Sequence, residues 1–149
     1  MKVLYIETSA ILAWLFSEPN AHKVREQMDQ SDIVVTSALS LLETERVILR
    51  AINQDLLDPD NSQRLRELFT ETSASWALME ITKEIREGAS QPFPVEPVRS
   101  LDAIHLATAL EFHKIYPGMK VLSFDRRIND NIPSLGLVYS IESQAAQSI

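Results

Sequence analysis

Val3-Leu4-Tyr5-Ile6-Glu7-Thr8-Ser9-Ala10 sets the architecture. The apolar run Val3–Ile6 is short and made of large or β-branched residues, which reads as a buried strand. Glu7 ends it, and Ser9–Phe16 then follows helical spacing. The same alternation continues outward. Further strands are predicted at Ile33–Thr36, Trp76–Ile81, Lys120–Phe124 and Leu137–Tyr139. Helical patterns lie between them at Ala21–Gln30, Ala38–Asn53, Asp58 to about Glu71, Thr82–Gly88 and Leu101–Ile115, with a last short turn at Arg126–Asn131. Strands that alternate with helices predict a parallel sheet covered on both faces.

Composition narrows the chemistry. The chain has 149 residues, which fits one domain with one hydrophobic core, so residues 1–149 are read as a single domain. There are no cysteines, which excludes disulfides, thiolate chemistry and cysteine-based metal sites. Three histidines are present and none forms an HExxH pair, which argues against a histidine-rich zinc site. No apolar run approaches the roughly 20 residues of a membrane span, and no secretory leader is visible, so a cytoplasmic, membrane-free location is expected. The 14 basic and 21 acidic side chains give a net charge of −7. Such a chain does not coat nucleic acid by bulk electrostatics. Acidic residues that hold cations can still meet phosphates.

Parallel sheets bind ligands beyond the carboxyl ends of their strands. Glu7 directly follows the first strand and Asp125 the fourth. Asp102 falls in the first turn of the Leu101 helix, where the dipole favours an ionised carboxylate and Ser100 is the expected N-cap. Glu43 and Glu45 fall in the early turns of the helix after Ile33–Thr36. Four acids from four remote segments can therefore converge on one edge. Unpaired, they repel one another and their pKa values rise. A divalent cation relieves that cost, and an all-oxygen donor set suits Mg²⁺ or Mn²⁺. Such an ion activates water and neutralises phosphate charge, which points to phosphodiester hydrolysis.

Four blocks carry a family resemblance. Tyr5–Ala10, Ser37–Glu43, the Arg99-Ser100-Leu101-Asp102-Ala103-Ile104-His105-Leu106-Ala107-Thr108-Ala109 segment and Leu122–Arg127 occur in the order of the four motif blocks of the PIN domain. More narrowly, they resemble the VapC-type toxins of toxin–antitoxin pairs. The resemblance implies a three-layer α/β/α sandwich around a parallel sheet. It implies an endoribonuclease dependent on Mg²⁺ or Mn²⁺, an RNA substrate, a cognate antitoxin and a homodimer. Carried over by position, Glu7, Glu43, Asp102 and Asp125 become the metal and catalytic carboxylates, with Thr8, Ser9 and Ser123 as supporting hydroxyls. Glu7 departs from the family's usual Asp by one methylene, which leaves a protein-interaction module with weak or no catalysis as the alternative function.

Individual residues carry competing readings. On a helical wheel Ala38, Leu41, Leu42, Leu49 and Ile52 share a face that includes Glu45, so burial favours Glu45 as the inward acid while the motif favours Glu43. Glu45 therefore stands as an alternative or supporting ligand. His105 is one turn beyond Asp102 and is read as a packed helix residue with one hydrogen bond. Arg99, Arg46 and Arg126 are candidate contacts to RNA or antitoxin, against a reading as solvated surface charge. An aspartyl-phosphate phosphatase also uses strand-end acids, but it needs an Asp nucleophile where this chain has Glu7.

Overall fold

The computed structural model describes residues 1–146. Five strands run β1 (Val3–Ile6), β2 (Ile33–Ser37), β3 (Ala77–Met79), β4 (Lys120–Leu122) and β5 (Val138–Tyr139). Eight helices are α1 (Thr8–Leu15), α2 (Ala21–Asp29), α3 (Ala38–Asn53), α4 (Pro59–Ser73), α5 (Lys83–Ala89), α6 (Ser100–Ile115), α7 (Arg126–Asn131) and α8 (Ser143–Ala146). The predicted strands and the helices before Asn131 are all present, with boundaries moved by a few residues at most. Sequence periodicity missed α8 and a one-turn 3-10 helix at Pro133–Leu135, both too short to show a period. Among the described residues no helix is long and apolar enough to cross a membrane.

The sheet is parallel throughout, in the order β3-β2-β1-β4-β5. β1 is central and all four of its residues are buried. Its side chains divide by the two-residue period of a strand. Val3 and Tyr5 join Val35 and Val121 in a core completed by Leu106, Phe112 and other residues. Leu4 and Ile6 join Leu122 in a second core with Ile11, Leu15, Val24 and Phe69. The first core lies under α6 and α7, the second under α1, α2 and α4, which gives the α/β/α sandwich. Phe16 and Trp14 are half-buried against the second core, so core packing accounts for most of the apolar stripe of α1.

This strand order fixes where a ligand can sit. From β1 the chain builds outward through β2 and β3, then returns to the other side with β4 and β5. The crevice between β1 and β4 is the topological switch point, where doubly wound sheets bind their ligands. Glu7 and Asp125 follow the two strands that flank it. α4 begins as its sequence predicts: Asp58 caps it by accepting from the Asn61 N–H at 2.8 Å, and Pro59 needs no amide partner there.

Candidate active site

Glu7 is built into the junction between the two central strands. It is 5% exposed, and its own N–H donates to the Leu122 carbonyl at 3.0 Å. Its carboxylate caps α1. Oε2 accepts from the Ser9 N–H at 3.0 Å, and Oε1 accepts from the hydroxyls of Ser9 and Ser123, the latter at 2.6 Å. Each hydroxyl is oriented by a backbone amide from the far side. The Phe124 N–H donates to Ser9 Oγ at 2.8 Å and the Asp125 N–H to Ser123 Oγ at 3.0 Å. With their lone pairs engaged, both hydroxyls turn their protons toward Glu7. Burial still pushes the Glu7 carboxyl above its ordinary value, against the pull of the His105 charge and the Ser123 and Ser9 hydrogen bonds.

Asp125 and Asp102 occupy helix starts. Asp125 caps α7 by accepting from the Ile128 N–H at 3.1 Å through Oδ1. Asp102 stands in the first turn of α6 and accepts from the Arg99 N–H at 3.3 Å through Oδ2. The N-cap of α6 is thus Arg99, and Ser100 is the first helical residue rather than the expected cap. The correction follows from Asp102 itself, whose side chain reaches back to the amide that begins the helix. Burial raises the Asp102 pKa, and the neighbouring charge of Asp125 raises it further. The Arg99 hydrogen bond and the charges of Arg127 and Arg99 pull the other way. The charge of Asp125 is therefore close enough to act on Asp102.

Glu43 comes from α3. Its Oε1 accepts from Thr8 Oγ1 at 2.7 Å and from His105 Nε2 at 2.7 Å. Burial pushes Glu43 up, but the hydrogen bonds from His105 and Thr8 and the His105 charge outweigh it, leaving its carboxyl below the ordinary value. Glu45 points elsewhere. It is half-exposed and sits 3.9 Å from Arg66 of α4. The wheel drawn from the sequence is rotated from the true one. The buried residues of α3 are Leu39, Ser40, Thr44, Ile48 and Ala51, while Leu42 is 59% and Leu49 41% exposed. The inward face begins with small polar residues. Ser40 receives a 2.7 Å bond from Thr36, and an apolar count cannot find such a face.

Sequence reasoning understated His105. It is 2% exposed on α6, and its ring touches three partners. Nδ1 meets the Tyr5 hydroxyl at 3.1 Å, and Nε2 meets Glu43 at 2.7 Å and Thr8 Oγ1 at 3.3 Å. Burial alone would lower its pKa. The Glu43 hydrogen bond and the charges of Glu7, Glu43 and Asp102 outweigh burial and raise it. Its spacing of i+3 from Asp102 was the only signal in the sequence. Asn131 is a second residue that the sequence did not flag. Fully buried, it accepts from the Val95 N–H at 2.8 Å and donates to the Val95 carbonyl at 2.9 Å. It thereby ties the loop that leads to Asp102 onto α7, the helix that Asp125 caps. Arg99 and Arg46 are exposed, and Arg126 is exposed with Asp130 3.8 Å away.

Hard-cation chemistry fits this donor set. Its groups are carboxylates with hydroxyl support. Among the described residues no Lys or Arg is ion-paired with Glu7, Glu43, Asp102 or Asp125. The charge of Asp125 raises the cost of ionising Asp102, which is the condition that a divalent ion would remove. The carboxylates are brought to one edge but not drawn into a closed cage: among the described residues no three acidic or histidine side chains form a ready group of metal ligands.

A model of the PIN domain matches residues 4–131. Ribonuclease VapC35 of Mycobacterium tuberculosis (strain ATCC 25618 / H37Rv) is 30% identical over 147 residues, covering 96% of this chain and 99% of that protein. Ribonuclease VapC46 of the same strain is 28% identical over 137 residues, covering 92% of this chain and 95% of that protein. Among solved structures, a toxin–antitoxin complex from Klebsiella pneumoniae superposes with a TM-score of 0.60 at 20% identity, covering 93% of this chain and 98% of that one.

Proposed function

The chain belongs to the PIN domain family, and from that premise we propose that it is an endoribonuclease dependent on Mg²⁺ or Mn²⁺, the toxin of a toxin–antitoxin pair. What supports the reading is that Glu7 and Asp125 follow the two strands that flank the switch point, that Asp125 acts on Asp102 and that Glu43 is bonded to His105 of α6, while among the described residues none of the four acids is ion-paired with Lys or Arg. The relatives named ribonuclease support RNA as substrate, and the toxin–antitoxin neighbour supports an antitoxin partner. A homodimer and a cytoplasmic location belong to the same proposal.

Asp102 and Asp125 would hold the ion, with Glu7 and Glu43 completing its surroundings. When bound, Mg²⁺ or Mn²⁺ supplies Lewis acidity and neutralises charge on the phosphate. The rest falls to the chain itself. Ser9 and Ser123 hold Glu7 in one orientation, and Thr8 and His105 hold Glu43. A carboxylate whose pKa is raised is suited to take a proton from attacking water. Arg127 and Arg99, whose charges act on Asp102, would meet RNA phosphates. Cleavage of this type leaves 5′-phosphate and 3′-hydroxyl ends.

One observation favours the second reading, a protein-interaction module. Glu7 is enclosed by three donors, which is how a structural helix cap looks. One experiment separates the two. Purified protein is incubated with a mixed RNA pool in Mn²⁺ or in EDTA, and the ends are sequenced. The nuclease cuts in Mn²⁺ only, and Asp102→Asn abolishes cutting while circular dichroism stays native. Cutting by Asp102→Asn at the wild-type rate would overturn the site, and no cutting by the wild type would favour the module.

A further inference from the structure

We infer that His105 is a positioning residue: through Nε2 it fixes the carboxylate of Glu43 in the orientation that the ion site requires, an inference that rests on the nuclease reading above. A glutamate on a helix has three side-chain torsions to restrain, and an exposed one samples many rotamers. Glu43 is restrained from two directions, by Thr8 at the start of α1 and by His105 from α6. Both donors converge on Oε1, which leaves Oε2 outside these two bonds.

The ring is itself held. The Tyr5 hydroxyl lies 3.1 Å from Nδ1, and Tyr5 is 1% exposed in the centre of the sheet. The Tyr5 and His105 rings meet edge to face at 6.5 Å between centroids. Nε2 faces a carboxylate oxygen, so it carries a proton in either charge state of the ring. Thr8 Oγ1 gives its own proton to Glu43 and turns a lone pair toward Nε2 at 3.3 Å. The result is a chain from the sheet core (Tyr5) through α6 (His105) to α3 (Glu43), joining three segments that are remote in the sequence. Supporting partners of this kind set ligand orientation, and their loss commonly costs about 10–100-fold in metal affinity or activity.

The test compares His105→Phe, His105→Gln and His105→Asn. Phe keeps the ring and the burial but removes both nitrogens. A Gln amide nitrogen reaches about where Nε2 sits and can donate to Glu43, whereas an Asn amide stops near Nδ1 and cannot. The readouts are the Mn²⁺ concentration that gives half of the maximal rise in melting temperature, and the rate of RNA cleavage. His105→Phe is expected to raise that concentration at least about tenfold, and His105→Gln to recover most of the loss. His105→Asn should resemble Phe. If Phe fails to fold, the Gln and Asn pair decides alone. Equal Mn²⁺ dependence in all variants and the wild type, or Asn performing as well as Gln, would overturn the role of His105 while leaving the nuclease reading intact. A wild type that shows no Mn²⁺ effect on stability overturns the ion site itself, and the inference with it.

Discussion

The two ends of the same sheet treat acidic residues in opposite ways. At the amino-terminal edge, Asp32 stands just before β2, exposed, and accepts from the Lys2 N–H at 2.6 Å. Lys2 and Lys120 are exposed on the same edge and line a cleft there with Gln27, Gln30 and Ser31. Every charge there reaches water. At the carboxyl edge, Glu7 is buried, Asp102 and Asp125 repel one another, and Glu43 is restrained by a buried histidine. The backbone geometry is repeated, but only one edge accepts an electrostatic cost. Costs of this sort concentrate where chemistry is done, and the difference between the edges identifies the working face more sharply than the strand order does.

The most severe challenge to that contrast is a matched pair of substitutions. Asp102→Asn should lower RNA cleavage by at least about 10²-fold, the scale at which a misplaced or missing catalytic group acts. Asp32→Asn, an equal charge change at the opposite edge, should leave cleavage within about twofold, since exposed charges act weakly at a distance. Rates measured side by side in Mn²⁺ decide it. Comparable losses in both would mean that net charge, rather than the carboxyl edge, governs the activity.

Next come the hydroxyls that support the acids. Ser123→Ala removes the 2.6 Å bond to Glu7 and leaves the Asp125 amide without its Ser123 acceptor, at a residue that is fully buried. The expected destabilisation is about 1–3 kcal/mol, the cost of leaving buried polar groups unsatisfied. Ser31→Ala at the other edge removes a 2.7 Å bond to the Gln27 carbonyl, which water can replace. It should cost about 1 kcal/mol or less. Denaturant midpoints measure both, and equal losses would erase the distinction between the edges.

How legible these features were depends on what sequence periodicity can carry. The apolar run of β1 and the acid after it announce both a strand and a site position, because a strand buried on both faces has no polar residue until its end. The long helices were legible for a similar reason. The inward face of α3 was not. Ser40 and Thr44 are buried polar residues that serve the junction with β2, so the exposed Leu42 and Leu49 drew the apolar wheel to the wrong side. Motif position identified Glu43 where amphipathicity pointed to Glu45. His105 looked ordinary because its partners, Tyr5, Thr8 and Glu43, come from three other segments. Only tertiary structure brings them together.

Proton linkage offers a subtler probe of the carboxyl edge. The pKa values of Glu7 and Asp102 are raised, so the native state holds their protons at pH values where the unfolded chain has released them. Stability from these groups therefore declines as pH rises above about 4–5, the unfolded carboxylate range. His105 is also raised, and its contribution is complete below the unfolded value near 6.5 and lost as pH climbs through its folded value. Glu43 is lowered, so its contribution is present above the unfolded value and lost only as pH falls through its folded one. Without divalent ions, the stability these groups supply should fall as pH rises above the unfolded carboxylate range of about 4–5. Glu7→Gln should flatten that fall, and Mn²⁺ should oppose it because ions bind the deprotonated acids. A profile for Glu7→Gln that matches the wild type would place the pH dependence elsewhere.

The smallest effect separates the two acids of α3. Glu45 and Arg66 are each about 40% exposed in their side chains, at 42% and 41%, and lie 3.9 Å apart. Pairs of this type contribute roughly 0–1 kcal/mol, since water and salt screen the attraction and two long side chains lose rotamers to form it. Glu45→Gln should therefore shift the denaturant midpoint by less than about 1 kcal/mol equivalent and leave Mn²⁺ stabilisation unchanged. Glu43→Gln, two residues earlier on the same helix, removes the charge that His105 faces and should weaken the Mn²⁺ response. An equal response to Mn²⁺ in the two variants would show that helix orientation does not discriminate between these acids, and Glu45 would then regain its place as a ligand.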